Sequence, residues 1–296
     1  MNPRRSVSDI TFQVLNYVFL FLLGFATLYP FWNLLAISFN DSLDTLRGQV
    51  YFWPNKFTLN NYNIIFQNES LLGAAFRSIA RTVIGTALSV GCTTMLAYTL
   101  SRREYLLRKP INLILVVSMY VNGGLIPVYM LIKGLNMTNT FAVYIIPGLI
   151  GVFNVIIMRS YFDQLPEAIV ESARIDGASD IGVLFRIVIP CSLPVLATVT
   201  LFIAVGHWNS WFDNYLYNSK DNLSLLQYEL MKIMTKSTTE VMSNAQATLN
   251  HEVLRQTTPY SIRATMTIIV TVPILFVYPF LQKYFIQGIT VGAVKE

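Results

Sequence analysis

Six long apolar windows without a charged residue constrain this chain more than any other feature. They are free of Asp, Glu, Lys and Arg and cover roughly residues 10–40, 82–100, 110–132, 134–158, 187–212 and 264–282. Each is long enough for a helix that crosses about 30 Å of hydrocarbon at about 1.5 Å per residue. Only 12% of the residues are charged, against about a quarter in a soluble domain. The chain is therefore predicted to be an all-α, polytopic membrane protein.

The windows predict a single membrane domain over residues 1–296 with six transmembrane helices. The spans are placed at about 14–39, 82–100, 111–132, 140–158, 191–212 and 264–283, with outer loops 41–81 and 213–260 and a connector over 159–190. The first window is too long for a cleavable signal peptide and is expected to remain as a span. Six spans place both termini on one side. The short loop 101–110 carries four Arg or Lys residues against the lone Lys133 of the opposite short loop, which predicts that this side is the cytoplasm.

The connector between the fourth and fifth spans is charged and regular. Pro166 fits the first turn of a helix, and Gly177 fits the left-handed residue just past its end. Ser179 or Asp180 can cap a second short helix, which is expected to end before Pro190. The first helix combines carboxylates with small residues, in order Glu167, Ala168, Glu171, Ser172, Ala173 and Asp176, and Asp180 follows. This pattern favours a surface that docks on another protein, and the alternative is an amphipathic segment that merely joins two spans.

The sequence contains no recognisable source of energy and no catalytic motif. It has no Gly-x4-Gly-Lys-Ser/Thr, so it cannot bind ATP phosphates in a P-loop. The six windows hold no carboxylate for a proton relay, which speaks against a secondary, ion-coupled carrier. His207 is expected to be a packing residue, and Cys92 and Cys191 are expected to be free thiols. We expect a transport subunit without enzymatic activity, and a secondary carrier is the alternative.

The connector also carries a signature with fixed gaps. Glu171-Ser-Ala173, three residues, Gly177, nine residues and Ile187-Val-Ile-Pro190 resemble the coupling loop of ABC importer permeases. Three further segments resemble the maltose-type carbohydrate class of these permeases, and in particular its LplC/YtcP-like oligo- or polysaccharide branch. They are Asn122–Tyr129, His207–Asp213 and Tyr278–Phe285.

The resemblance implies a permease subunit of an ATP-driven importer of oligo- or polysaccharides that works by alternating access. It implies partners as well: a second permease chain (a paralogue), two ATP-binding subunits and an extracytoplasmic solute-binding protein. The chain itself is expected to hold no cofactor, because ATP and magnesium would be bound by the ATP-binding subunits. The expected location is a bacterial cell membrane, with both termini in the cytoplasm.

The resemblance also assigns residues to ATPase coupling. Those in the connector are Glu167, Glu171, Ser172, Ala173, Asp176 and Gly177. The C-terminal tail resembles a glycine-rich ending that reaches into the interface of the ATPase dimer. Gly288 and Gly292 would leave an extended backbone free to enter a narrow cleft, and Lys295 would supply a charge.

Sugars are bound by aromatic faces and by amide or hydroxyl groups, which a water-filled cavity tolerates. The candidates for a substrate pathway are Tyr120, Asn122, Tyr129, Asn154, Trp208, Asn209 and Trp211. Each has packing or an interfacial belt as its alternative role. Arg77 and Arg81 are expected to extend to lipid headgroups rather than to bind a ligand.

The outer loop 213–260 has one apolar segment. Its leucine and methionine spacing between Leu223 and Met234 predicts an amphipathic helix, which either lies on the bilayer or meets the binding protein. The region 41–70, with Trp53 and Tyr62, is a second candidate contact surface. The sequence leaves the identity and charge of the sugar open.

Overall fold

The computed structural model describes residues 7–48, 50–121, 123–243 and 258–293. The α-helices in these ranges are α1 (Val7–Ser38), α2 (Ser42–Leu46), α3 (Asn60–Gln67), α4 (Glu69–Ser101), α5 (Arg108–Tyr120), α6 (Leu125–Gly134), α7 (Val152–Phe162), α8 (Glu167–Ile175), α9 (Asp180–Val183), α10 (Ile189–Cys191), α11 (Leu193–Asn209), α12 (Phe212–Tyr217), α13 (Leu226–Ser243) and α14 (Pro259–Ala293). Within the same ranges, the β-type pairing that the structure shows is an isolated bridge between Asn40 and Phe57. The predicted all-α fold is confirmed.

Both long helices and bent pairs of helices could cross a membrane. Within the described residues, three stretches are long and apolar enough to cross a membrane: Ser8–Ser38, Glu69–Ser101 and Pro259–Val277. Three bent pairs bring the number to six when each pair counts as one span. They are Arg108–Tyr120 with Leu125–Gly134, Phe141–Gly148 with Val152–Phe162, and Asp180–Cys191 with Leu193–Asn209. By length and composition, the described helices therefore allow up to six spans, three of which would be interrupted rather than continuous.

Contacts divide the chain into two units, and the first combines residues 1–68 with 232–272. In this unit α1 exposes apolar side chains all along its length, with Phe12, Tyr17 and Phe21 exposed by 71%, 70% and 71%. The loop after α1 is held by the buried residues Asn40 and Asn61. The Asn61 amide donates to the backbone oxygens of Ser38 and Asn40 at 3.1 and 3.0 Å. Because buried polar groups need partners, this network fixes the loop that follows the span.

The second unit combines residues 69–231 with 273–296, and its core lies between α4, α7 and α11. The largest fully buried side chains there include Leu100 on α4 and Met158 and Phe162 on α7. Val199 on α11 belongs to the same core. Small residues on α4, such as Ala97, let the helices approach closely, as membrane helices commonly do.

The interruptions of three spans follow local sequence. α5 ends at Tyr120, and α6 starts after Gly124, whose φ of +83° is accessible mainly to glycine. The fourth span begins as short 3₁₀ turns around Pro147 and bends by 48° before α7. The fifth bends by 87° near Ser192. Periodicity of apolar residues does not report such breaks, because the windows on both sides remain apolar.

The outer segment after α11 differs from the prediction. α13 forms as expected, but Leu225 directly before it is 1% exposed, and Leu226 and Leu230 on its apolar side are 3% and 7% exposed. The backbone N–H of Leu225 donates to Asn214 at 2.8 Å, and that of Leu226 donates to Ser78 at 2.9 Å. The proposed roles of this face, on the bilayer or against a binding protein, were therefore both wrong, because the protein itself buries it.

Candidate functional site

The connector has the predicted helix–glycine turn–helix form. α8 runs from Glu167 to Ile175 between the capping residues Pro166 and Asp176, and Gly177 follows with φ +82°. The Gly177 N–H donates to the Arg174 carbonyl at 3.0 Å, and the Ala178 N–H donates to the Ala173 carbonyl at 3.0 Å. These two bonds form a Schellman motif, which satisfies the last carbonyls of the helix. The turn therefore requires a residue at 177 that accepts a positive φ.

The second half of the connector is longer than predicted. The Ser179 hydroxyl accepts from the Gly182 N–H at 3.2 Å and caps α9, as expected. A π-helical turn over Leu184–Val188 then leads into α10, so the helical path continues through Pro190 instead of ending before it. Proline lacks an N–H and would clash with the carbonyl four residues earlier. A wider turn before the proline is a common way to accommodate it inside a helix.

One side of the connector is part of the protein core. Val170, Val183 and Val188 are 3%, 0% and 0% exposed and pack in the cluster formed by α4, α7 and α11. Ala173 is only 9% exposed and joins this cluster. The small side chain of Ala173 thus lies on the buried face of α8, and its role in ATPase coupling stays a prediction.

The opposite side of the connector is exposed and partly apolar. Ile175, Ile181 and Phe185 are 85%, 71% and 55% exposed. Residues Glu167, Glu171, Ser172 and Asp176 are also exposed. Large aliphatic side chains at such exposure in a charged segment are typical of a protein interface.

An arginine connects the two connector helices and the loop before α5. Arg174 Nη1 lies 2.6 Å from Glu104 Oε1, and its Nη2 lies 2.9 Å from Asp180 Oδ1. The backbone N–H of Glu104 and then the hydrogen bond from Arg174 hold the pKa of the Glu104 carboxyl below its ordinary value. Asp180 thus pairs within the connector, while its side chain remains 70% exposed and its contact with a basic partner stays a prediction.

A cavity of about 460 Å³ lies between α4, α7, α11 and the segment after α11. Its polar lining is Arg81, Ser89, Tyr144, Asn154, His207, Ser210, Asp213 and Tyr217. The Ser89 hydroxyl is buried and has no hydrogen-bond partner among the described residues. The cavity therefore combines aromatic faces with amide, hydroxyl and ionic groups.

The centre of the cavity wall is an ion pair. The Arg81 guanidinium binds the Asp213 carboxylate through both Nη atoms, with Nη1 to Oδ1 at 3.2 Å. The two side chains are only 4% and 20% exposed, and the guanidinium lies 5.2 Å from the centre of the Tyr144 ring. Arg77 donates from Nε to the Ser224 carbonyl at 2.8 Å. The prediction that Arg77 and Arg81 extend to headgroups was thus wrong, because acceptors inside the protein hold both.

Among the predicted pathway residues, Asn154 lines this cavity. Tyr129 stacks on Tyr217, which lines the cavity, with the two ring centroids 6.0 Å apart. Tyr120 is 84% exposed at the end of α5. Asn122 lies outside the described residues.

The three candidates near the end of α11 occupy other environments. Trp208 is 8% exposed and lines a small apolar pocket with Leu201 and Pro273. Asn209 accepts from the Gln227 amide at 3.1 Å. Trp211 packs edge-on against Phe212 with centroids 5.7 Å apart. Trp208 and Trp211 thus occupy packing positions, which was the alternative to a role in the substrate pathway.

The C-terminal tail does not have the expected extended backbone. Gly288 and Gly292 both lie in α14, which continues to Ala293. Extending an existing helix costs less than starting one, so two glycines do not end it. Lys295 lies outside the described residues.

Sequence comparison places these features in a known family. The family described as binding-protein-dependent transport system inner membrane component matches residues 2–291. The chain belongs to this family.

This inner membrane component is similar to its relatives over nearly their whole length. The chain is 37% identical over 286 residues to protein LplC of Bacillus subtilis (strain 168), and the alignment covers 96% of this chain and 95% of LplC. It is 34% identical over 285 residues to the polygalacturonan/rhamnogalacturonan transport system permease protein YtcP of the same organism, with 96% and 98% covered. A chain in the crystal structure of a bacterial ABC transporter involved in the import of the acidic polysaccharide alginate superposes with a TM-score of 0.86 at 26% identity, covering 96% and 100%. The predicted family and branch are confirmed.

Sequence reasoning about the inner membrane component missed most of the cavity. Arg81, Tyr144 and Asp213 were not among the pathway candidates, and His207 was assigned to packing alone. One signal was available: Asp213 directly follows the fifth apolar window, and Arg81 directly precedes the second. Opposite charges at the same depth of neighbouring spans are candidates for a buried pair.

Close contact between α4 and α11 gives a prediction for this inner membrane component. A Cβ added at Gly85 would lie 2.7 Å from Nε2 of His207, whereas one added at Gly91, on the same helix, meets nothing within 4 Å. We expect Gly85→Ala to destabilise the protein by about 1–3 kcal/mol through overpacking. Gly91→Ala is the matched control and should stabilise by up to about 1 kcal/mol. Thermal unfolding of the purified variants measures both, and equal shifts would contradict the close packing.

Proposed function

We propose that this inner membrane component is a permease subunit of an ATP-driven importer of oligo- or polysaccharides. The observation that carries the proposal is the two-sided connector. Its exposed side presents Ile175, Ile181 and Phe185, while its buried side packs on α4, α7 and α11. A partner that grips the exposed side would move the three helices that surround the cavity.

The proposed mechanism is alternating access. Closure of an ATPase dimer would pull the connector, and α4, α7 and α11 would rock until the cavity opens to the other face of the membrane. ATP and magnesium would be bound by the partner subunits, and we assign no catalytic group to this chain. Side-chain packing supports this mechanism, because Val170 and Val183 of the connector lie in the same cluster as Val199 of α11. A close-packed core transmits a displacement from the connector to the helices.

The proposed cargo follows from the cavity and from the relatives. Tyr144 and Tyr217 offer aromatic faces, and Asn154 and the Arg81–Asp213 pair offer hydrogen-bonding groups of the kind that bind sugar hydroxyls. The relative YtcP is named for polygalacturonan and rhamnogalacturonan, and the structural neighbour for alginate. These names support a saccharide for this chain as well. A secondary carrier is not favoured, since membership of a binding-protein-dependent family supports the ATP-driven alternative.

The proposed assembly contains a paralogous permease chain, two ATP-binding subunits and an extracytoplasmic solute-binding protein. The termini would both face the cytoplasm, together with the connector. The apolar surface of α1, whose spanning window is 0% buried, is available to lipid or to the second permease chain. The tail with Gly288, Gly292 and Lys295 is proposed as a second ATPase contact, now from the end of a helix.

Co-purification tests the docking role of the connector. We expect Ile175→Asp with Ile181→Asp to lower the amount of ATP-binding subunit that co-purifies with the permease at least tenfold, because two exposed anchors become charged. Leu135→Asp is the control, since Leu135 is 59% exposed in a loop distant in sequence from the connector. If the double variant retains its ATP-binding subunits, or if the control loses them equally, the connector is not the docking site.

A further inference from the structure

A basic cavity opens beside the loop that joins α4 to α5. It has a volume of about 720 Å³, and its lining includes Arg103, Arg108, Lys109, Arg159, Tyr105 and Leu106. The lining also includes one carboxylate, Glu104, which Arg174 already binds at 2.6 Å. The cavity thus gathers four cations around space that the chain leaves unfilled.

The positive charge of this cavity is poorly compensated. Arg108 and Arg159 share the Asp163 carboxylate at 3.6 and 3.4 Å, which is longer than a good charged hydrogen bond. In the described part of the chain, Arg103 and Lys109 form no ion pair. An anion in the cavity would therefore meet several donors without displacing an existing acidic partner.

The start of α5 adds to the attraction for an anion. Leu107 precedes the helix and offers no side-chain cap, and the first turn contains Arg108 and Lys109 but no acid. The partial positive charge at the N-terminus of this 13-residue helix repels the two cations, and an anion bound there would relieve the repulsion. The missing cap and the helix dipole therefore add to the effect of the lining charges and indicate the same ligand chemistry.

Apolar side chains surround the basic groups. Leu106 and Leu107 are 93% and 54% exposed, and further along the chain Leu113 and Ile114 on α5 are each 65% exposed. A ligand that carries a phosphate and long hydrocarbon chains matches both parts. Its phosphate would lie among the cations, and its chains would run along the apolar surface of α5.

We propose that this cavity binds the phosphate of an anionic phospholipid from the surrounding membrane. Basic pockets at the cytoplasmic ends of membrane helices are suited to acidic headgroups. The site would also be coupled to the connector, because Glu104 of the same loop is held by Arg174. The proposal rests on the membrane location that the family gives and on the proposed cytoplasmic side of this loop, and not on the proposed cargo or on ATPase docking.

Lipid binding by the complete transporter in nanodiscs provides the test. Phosphatidylglycerol is titrated into phosphatidylcholine nanodiscs, and its association is measured by competition with a spin-labelled analogue. We expect Arg103→Gln with Lys109→Gln to weaken phosphatidylglycerol binding about 25-fold, at about fivefold for each charge near the surface. Lys133→Gln with Lys220→Gln removes the same charge elsewhere and should leave binding unchanged. Arg103→Lys with Lys109→Arg should also retain it, which separates charge from folding.

The outcomes separate the possible sources of the phosphate. Retention of phosphatidylglycerol by the glutamine variant overturns the proposal, and so does equal loss in the Lys133 and Lys220 control. Displacement of the lipid by millimolar inorganic phosphate assigns the site to a free anion instead. Loss of co-purifying ATP-binding subunits with unchanged lipid binding assigns the cavity to a protein contact. A transporter that fails to import saccharides but binds the lipid as described refutes the proposed cargo and leaves this site in place.

Discussion

Replacing Gly177 with proline is expected to abolish the stimulation of ATP hydrolysis by the loaded solute-binding protein. Gly177 has φ +82°, which proline cannot adopt because its ring fixes φ near −65°. The substitution also removes the N–H that donates to the Arg174 carbonyl. The turn between α8 and α9 would have to rearrange, at a cost of about 3 kcal/mol or more. The measurement is ATPase activity of the complete transporter in vesicles, with and without its binding protein and substrate.

Gly48 provides a matched control for this substitution. It has φ +80°, a Cβ there would meet nothing within 4 Å, and its N–H donates to the Thr45 carbonyl at 3.1 Å. Gly48→Pro therefore imposes the same local strain at a position distant in sequence from the connector. Gly48→Pro should assemble and keep its stimulated activity. Unchanged stimulation in an intact Gly177→Pro transporter would refute coupling through the connector, and an equal loss in both variants would attribute the effect to general destabilisation.

Local signals predicted the connector well because its geometry depends on single residues. The φ of +82° at Gly177 and the hydrogen bond from the Gly182 N–H to Ser179 follow from the properties of glycine and of an N-cap serine. The path through Pro190 was not predictable in this way. It depends on a π-helical turn over Leu184–Val188, which forms within a packed cluster. Helix ends thus follow the sequence closely where caps decide them, and less closely where tertiary packing does.

The residues of the cavity depended on contacts between distant parts of the chain. Arg81 and Asp213 lie 132 positions apart, and neither alone indicates a buried pair. Ala173 is a second example, since its place in a signature does not reveal that the packing of α8 buries its side chain. Residue type identified which groups could bind a sugar, and only the arrangement of α4, α7 and α11 determined which of them share one cavity.

Loss of either partner of the Arg81–Asp213 pair is expected to destabilise the permease strongly. Arg81→Met or Asp213→Leu leaves one charge buried without its partner, which costs about 3–5 kcal/mol. The double variant replaces both charges with apolar groups and should recover most of the lost unfolding temperature. Arg174→Met is the control, because its pair with Glu104 is 37% and 53% exposed and should contribute less than about 1 kcal/mol.

Transport in the double variant separates the structural role of the pair from its role in the cavity. Two apolar side chains can restore packing, but they offer no donor or acceptor to a sugar hydroxyl, and a hydroxyl that leaves water without gaining a partner costs binding energy. We therefore expect the double variant to regain stability while its uptake of labelled oligosaccharide stays at least tenfold below that of the unaltered transporter. Uptake is measured in vesicles that contain the complete transporter, at equal amounts of assembled complex. If the double variant takes up the oligosaccharide at the normal rate, transport does not need these two charges. Arg81 and Asp213 would then only hold α4 to the segment after α11.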